Sequence, residues 1–396
     1  MDYLSTKEAA ERWGVSLRYV QRLIQDGRIP GAKKYGGSYL LPADAEKPGD
    51  PRRAPKPAAQ PHLLPRSCAM LTMSTLYDRP GRADDIVASL ASDPNAQALF
   101  SAELCYLRGE AARAAFLSRE LLLKTACFDT RLGCLLNIAN AAMYSGDFSA
   151  WEAARDAIAR TKALNESEEA ARDCCLASVD SSVYDQRGYP SWLRIGCFDP
   201  LPPDAFPAAR HLYAKLFAIS RADVTAIPSL EPLCSQTRAE GAVGAELYLR
   251  LVMAAGCHDA GDSGRAAFHI SRALDLALPD RLYAPLAEAR RNIGVLFDEL
   301  LRERDLEAYR AVCALWDRLV PAWTSLFEKH MGRALSAELT LRELEAVKYA
   351  AAGMSNDEIA ARMRLSVNTV RSHLSSAMQK TGLRRWDDFS AYLHLS

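Results

Sequence analysis

Arg371, Ser372 and Ser375, with Asn368 and Thr369 before them and Gln379 and Lys380 after, place donors and acceptors along one short segment, Ser366-VNTVRSHLSSAMQK-Thr381. The chemistry open to such a set is recognition, not turnover. Guanidinium and ammonium groups pair with phosphate, while hydroxyl and amide side chains match the donor and acceptor pattern of base edges in a major groove. From Ser366 to Arg385 the cations are Arg371, Lys380, Arg384 and Arg385, with no Asp or Glu, whereas the two preceding helical stretches carry Glu343, Glu345, Asp357 and Glu358. Positive charge is therefore segregated here.

The elements that must hold these groups follow from periodicity and caps. Val367, Val370, Leu374, Ala377 and Met378 recur at helical spacing, which turns Asn368, Thr369, Arg371, Ser372, Ser375 and Gln379 outward. Ser366 is the expected N-cap of that helix. Thr340 with Glu343, and Ser355 with Glu358, have capping-box spacing, and Gly353 and Gly382 sit where a left-handed stop is wanted. The spacing predicts helices over about 341–352 and 356–363, with Leu344, Val347, Ala351, Ile359 and Met363 inward, inside a compact four-helix unit over 339–395. A tight Met-Arg-Leu-Ser connection followed by a polar, cationic helix face suits insertion into a major groove. A bundle whose solvated face happens to be basic would show the same charge and periodicity.

The stretch Leu339-TLRELEAVKYAAAGMSNDEIAARMRLSVNTVRSHLSSAMQKTGL resembles the LuxR-type helix-turn-helix domain of bacterial transcription regulators, over about one seventh of the chain. The resemblance implies that Ser355 to Met363 is the positioning helix and Val367 to Lys380 the recognition helix. It further implies that Arg371, Ser372 and Ser375 face bases and that Thr369 and Lys380 hold phosphates, with Asn368 and Arg384 in the same DNA-facing set. Many relatives carry Lys where this chain has Ser375, so the resemblance does not transfer an operator preference.

A second set lies at the other end. Ser5 and Glu8 have capping-box spacing, Gly14 turns the chain, Ser16 caps a second helix running to Gln25, and Gly27 ends it. If Leu17, Val20, Leu23 and Ile24 face inward, Arg18, Tyr19, Gln21 and Arg22 face out. The following Ala32-KKYGGSYLLP reads as a short hairpin with Gly36-Gly37 at its turn and Lys33 and Lys34 on the wing. This segment, most specifically Gly27-RIPGAKKYGGSYLLP, resembles the small MerR or excisionase-like winged helix-turn-helix domains. The resemblance implies groove contacts from Arg18, Tyr19 and Arg22, with Ser16 at the helix start and backbone contacts from Lys33 and Lys34. A module that keeps this fold without reading DNA remains an alternative.

A chain of 396 residues is expected to hold two to three domains. Net charge is zero, but residues 1–42 carry seven Lys or Arg against four Asp or Glu, and residues 333–396 nine against seven, so the middle is acidic on balance. That suits a body that does not touch nucleic acid itself. No apolar run approaches the roughly twenty residues that cross a bilayer, and Asp2, Lys7 and Glu8 do not read as a signal peptide, so a cytoplasmic protein with no membrane partner is expected. The ten cysteines form no C-x-x-C pair, and buried reduced thiols are the simpler reading.

The expected organisation is a winged helix-turn-helix over 1–46, a Pro-rich basic linker over 47–84, a tetratricopeptide-like helical body over 85–332 and a DNA-binding domain over 333–396. Within the linker, the apolar part with Leu71, Met73 and Leu76 is a candidate to dock onto the body. Gly109, Gly146, Gly188 and Gly261 each separate two apolar helical stretches, at intervals near one helical-hairpin repeat or, for the last pair, twice it. The segment from Ala245 to Ala289 resembles the helical-repeat region that precedes the DNA-binding domain in large maltose-type LuxR regulators. Trp151, Tyr184, Tyr189, Trp192, Tyr213 and Phe217 are numerous there, and at helical spacing they read as core before ligand cage.

Absences narrow the function. There is no G-x-x-x-x-G-K-[ST] motif, no alternation of strand and helix to build a phospho-acceptor domain, and no convincing nucleophile, metal cluster or acid pair. The expectation is a mainly α protein, not an enzyme, with no cofactor or metal. It would be a sequence-specific DNA-binding transcription regulator acting on double-stranded DNA, as the homodimer that the LuxR resemblance implies, since relatives usually bind so, with its helical body taking a peptide, protein or small-molecule effector. The alternative is a helical-repeat scaffold with secondary DNA affinity.

Overall fold

The computed structural model describes residues 3–25, 29, 31–35, 38–43, 45, 47, 70–183, 185–220, 227, 229–332, 339–351, 353–363 and 365–381. The chain divides into two compact units, Met1–Leu63 and Leu64–Ser396.

The first unit holds β1 (Tyr3–Ser5), α1 (Thr6–Trp13), α2 (Leu17–Gln25), β2 (Lys33–Tyr35) and β3 (Ser38–Pro42). The capping box at Ser5 closes in both directions, with Glu8 N donating to Ser5 Oγ at 3.3 Å and Ser5 N donating to Glu8 Oε2 at 2.8 Å. Gly14 makes the turn between helices at φ 63°, a left-handed conformation that costs glycine little. The wing is the expected antiparallel hairpin, with Tyr35 opposite Ser38 and Lys33 opposite Leu40. Beyond the sequence reading, β1 pairs with β3 to give the order β1-β3-β2. Ala9, Ala10, Val20, Leu23, Ile29 and Leu41 form the core. Leu17, expected inward, is instead 44% exposed. It opens α2 ahead of the first full turn, where periodicity constrains facing least. Gly27 and Gly36-Gly37 lie outside the described residues.

The second unit is helical throughout its described residues. Its body runs through α3 (Ala83–Ser89), α4 (Pro94–Leu107), α5 (Ala111–Leu122), α6 (Phe128–Ser145), α7 (Phe148–Arg160), α8 (Glu166–Ser181), α9 (Ser191–Arg194), α10 (Phe206–Ser220) and α11 (Glu231–Glu240). It continues with α12 (Val243–Asp259), α13 (Ser263–Ala277), α14 (Tyr283–Ile293), α15 (Val295–Arg304) and α16 (Leu306–Met331). Helical hairpins recur, α4 with α5, α6 with α7 and α12 with α13. Gly109, Gly146 and Gly261 end the first helix of each at φ 87°, 68° and 78°, whereas Gly188 is not left-handed. The array closes on itself: α4 reaches α14, and α6 and α7 pack on the 26-residue α16. A large apolar core follows, in which Trp151 and Tyr189 are buried as expected of core aromatics, and a second, smaller cluster gathers Ala214, Leu230, Cys234, Leu249 and Met253. Tyr184 lies outside the described residues.

Residues 70–84, expected as the end of the tether, belong to the body. Met70, Leu71, Met73 and Tyr77 are buried, and this strap packs against α4 and α12. Glu103 accepts from Thr72 N at 3.0 Å, and burial, opposed by these backbone donors, lifts its carboxyl to about 8. On the far side a Cβ at Gly244 would stand 2.1 Å from the Thr72 carbonyl oxygen, so only glycine allows this approach. Tyr77 hydroxyl, Gly81 N and Ala83 N all donate to Asp280, which fastens the strap to the segment before α14. An apolar strap held by buried carboxylates is core, whatever its proline-rich approach suggests.

The C-terminal domain comprises α17 (Leu341–Ala351), α18 (Asn356–Met363) and α19 (Val367–Thr381). The capping boxes form as spaced. Thr340 N donates to Glu343 Oε2 at 2.7 Å, Ser355 N to Glu358 Oε2 at 2.8 Å, and Ser366 Oγ accepts from Thr369 N at 3.1 Å. Gly353 is left-handed at φ 85°. Val347, Ile359, Met363, Val370, Leu374 and Ala377 make the domain's core. Gly382, Arg384, Arg385 and the expected fourth helix lie outside the described residues. Among the described residues no helix is long and apolar enough to cross a membrane, and no group of His, Cys, Asp and Glu could hold a metal.

Candidate nucleic-acid interface

Because Val370, Leu374 and Ala377 anchor α19 into its own domain, the opposite side of the helix is fixed. Asn368, Arg371, Ser372, Ser375 and Gln379 are exposed along it. At 1.5 Å per residue this stripe runs about 16 Å, and a major groove admits a helix of that kind. Among the described residues Arg371 has no hydrogen bond or ion pair, so its five donors are available. Thr369 is half-buried and its hydroxyl pairs with Ser366 Oγ at 2.7 Å, which ties it to the helix cap.

Lys380 is differently placed from the stripe. Its ammonium donates to Glu343 Oε2 at 2.8 Å, and Ser376 Oγ donates to Glu343 Oε1 at 2.6 Å. Burial pushes the Glu343 carboxyl up, but Lys380, Ser376 and the Thr340 donors outweigh it and hold it at about 2. Glu343 thus ties the start of α17 to the end of α19 and fixes the tilt of the recognition helix.

The faces of α17 and α18 turned from α19 rest on the body. Arg362 Nη2 donates to the carbonyls of His258 and Asp259 at 3.0 Å each, capping the carbonyl end of α12 with a cation, where the helix dipole favours one. The Arg362 guanidinium also lies 4.5 Å from the Tyr349 ring centre. Tyr349 Oη and Glu345 Oε1 approach His258 Nε2 at 3.3 and 3.5 Å, and Lys348 reaches Asp259 at 3.7 Å. Asn292 and Gly294, at the end of α14, complete the small cleft these side chains line. This latch was not apparent in the sequence; its one trace is an Arg on the positioning helix that the domain's own core does not need.

In the N-terminal unit Arg18 and Arg22 are exposed on α2, while Tyr19 is half-buried with Arg22 at 5.8 Å from its ring centre. Ser16 Oγ accepts from Tyr19 N at 3.3 Å, so its side chain serves the helix cap. Lys33 and Lys34 are both exposed, but neighbours on a strand point to opposite faces. Lys34 pairs across with Tyr39 on the face that carries buried Leu41, toward the helices. Lys33 stands on the other face, 5.8 Å from the Tyr3 ring centre. Leu17, at the start of α2, is exposed beside Arg18.

Residues 337–386 match the family model described as bacterial regulatory proteins, luxR family. The C-terminal domain is a LuxR-family helix-turn-helix domain. Residues 3–45 match a helix-turn-helix domain model, so the chain carries one such domain at each end. No curated protein and no solved structure matches the chain. With a LuxR domain whose polar stripe is open, the protein is a DNA-binding transcription regulator, and double-stranded DNA is its partner. Neither type of domain is enzymatic.

Proposed function

We propose that α19 of the LuxR domain enters the major groove, with Arg371, Ser372 and Ser375 reading base edges and Asn368 and Gln379 supporting them at either end. The observation that carries this reading is the exposed stripe with Arg371 unpaired among the described residues. Thr369 and Lys380 contribute to phosphate contacts from positions fixed by Ser366 and Glu343. The N-terminal unit supplies a second grip through Arg18, Arg22 and Lys34. The Pro-rich stretch that joins the N-terminal domain to the body would tether the second contact at an effective concentration of about millimolar. The protein acts as a homodimer on paired half-sites.

The body is the sensing module in this reading. Its α12 and α14 end at the latch that holds the LuxR domain, so a change in their packing would be felt at α17 and α18. The test is a mobility-shift series with the wild type and Arg371→Ala on a selected operator and on a scrambled duplex. Loss confined to the operator supports base reading; equal loss on both sequences rejects it.

A further inference from the structure

Six polar side chains from five helices meet where the array closes. Tyr106 of α4, Tyr144 of α6, Lys215 and His211 of α10, Tyr248 of α12 and Glu288 of α14 share one interior region. Tyr106 Oη donates to Glu288, Tyr144 Oη reaches Glu288 Oε1 at 3.3 Å, and the Tyr248 hydroxyl also bonds the Glu288 carboxyl. The His211 and Tyr248 rings lie 4.8 Å apart, and Lys215 Nζ donates to Ser181 Oγ at 3.2 Å.

Two properties of this region are hard to reconcile with a solid core. Tyr144, His211, Lys215, Tyr248 and Glu288 each retain partial contact with solvent-sized space. Yet protein surrounds them deeply enough that burial drives His211 down to about 3 and Lys215 down to about 8, and pushes Glu288 up. Groups so deeply surrounded and still partly accessible point to a recess where the array closes. Moreover, Lys215 and Glu288 act on each other electrostatically, but among the described residues they make no ion pair. Glu288 takes its hydrogen bonds from tyrosine hydroxyls and Lys215 donates to Ser181, so two opposite charges share this region without neutralising each other, and a surrounded charge with no counter-charge beside it is costly.

We propose that this cluster is the effector site and that its ligand is a small zwitterion of amino-acid size, with its ammonium toward Glu288 and the tyrosine rings and its carboxylate toward Lys215 and Ser181. The inference rests on the sensing reading given above. A carboxylate in a poorly hydrated recess favours an ammonium, through charge and a charge-assisted hydrogen bond. A single anion would meet Glu288, and a single cation would meet Lys215; only a molecule carrying both signs satisfies both ends. The output path is short. Glu288 lies one turn from Asn292, about 6 Å along α14, and Tyr248 lies about 15 Å along α12 from His258, so both helices that grip the ligand end at the latch on the LuxR domain.

Calorimetric titration of the full-length protein with the twenty free amino acids, and with the amine and the carboxylate related to each binder by loss of one charged group, tests the proposal. At least one amino acid should bind, and both singly charged analogues should bind at least tenfold more weakly. Glu288→Gln and Lys215→Met should each weaken that binding at least tenfold, with helix content unchanged. Tyr144→Phe, which removes one hydroxyl and no ring, should weaken it two- to tenfold and serves if either charge variant fails to fold. No binding by any amino acid, equal binding by a singly charged analogue, or binding untouched by the variants overturns the proposal. Mobility shifts on the operator, run on the same samples, separate this failure from that of the regulator reading. DNA binding that persists without any amino-acid binding sinks only the ligand, whereas amino-acid binding that leaves operator affinity unchanged sinks the sensing role.

Discussion

Glu343 and Lys380, 37 positions apart, face each other at 2.8 Å and join the first helix of the LuxR domain to the last turn of its recognition helix. A cation that resemblance alone assigns to phosphate therefore has a structural partner first. Its three donors allow it to keep Glu343 and still reach a phosphate, so both roles leave a measurable trace. Lys380→Ala is expected to lower the domain's stability by about 1–3 kcal/mol, the cost of stranding a buried carboxylate. It should also reduce the log-log salt slope of DNA binding by about one. Thermal unfolding and salt titration check the two separately; an unchanged Tm would mean that the contact with Glu343 contributes nothing.

Acid should find the same contact. The folded Glu343 carboxyl is held at about 2, below its ordinary value of 4.5. Its contribution is therefore complete above the ordinary value and is lost as pH falls from there toward 2. Glu343→Gln should flatten the acid limb of the stability curve for this domain, followed by near-ultraviolet circular dichroism between pH 5 and 2.

Base reading should separate from phosphate holding. Arg371→Ala is expected to cost about 1–3 kcal/mol on the preferred operator, roughly 5- to 150-fold, and much less on scrambled duplex. Ser375→Ala should change the preferred base at one position with a smaller loss. Selection from a randomised duplex pool reads both outcomes.

On the N-terminal wing the two lysines should be unequal. Lys34 lies on the sheet face turned toward the helices and Lys33 on the opposite one, so Lys34→Ala should weaken DNA binding by residues 1–46 several-fold while Lys33→Ala leaves it nearly unchanged. Fluorescence anisotropy on short duplexes measures this. Matching losses would place the wing edge-on to the DNA, with both faces in reach.

The strap predicts an alkaline effect of opposite sign to the one at Glu343. Burial raises Glu103 to about 8 in the folded state, while the unfolded chain ionises near its ordinary value. Stability is thus lost progressively as pH rises from about 4.5 to 8. Glu103→Gln, which keeps an acceptor for Thr72 N, should raise Tm at pH 8 by more than at pH 5.

How much of this could be read from the residue order depends on distance along the chain. The capping boxes at Ser5, Thr340 and Ser355 span three residues and formed as spaced. The stripe from Asn368 to Gln379 is a period within one helix. Leu17 sat at the edge of such a period, and its facing reversed. β1 is three residues long and has no alternation of its own; pairing with β3 creates it. The strap was visible as an apolar run, but its place between α4 and α12 depends on Glu103 and Gly244, which nothing local singles out. Arg362 and His258 are 104 positions apart, and Tyr106 and Glu288 are 182 apart. Only the closing of the array brings such groups together, and no local pattern announces it.

The glycine beneath Thr72 bears on how the middle of this protein can be handled. A fragment begun at residue 85, where the proline content falls away, would leave a trough along α4 and α12 shaped for Met70 and Tyr77. That bare surface is sticky, and Glu103 would face water instead of the backbone amide it was buried to receive. Fragments meant to isolate the sensing body should start before Met70, or their misbehaviour in solution will be mistaken for a property of the domain.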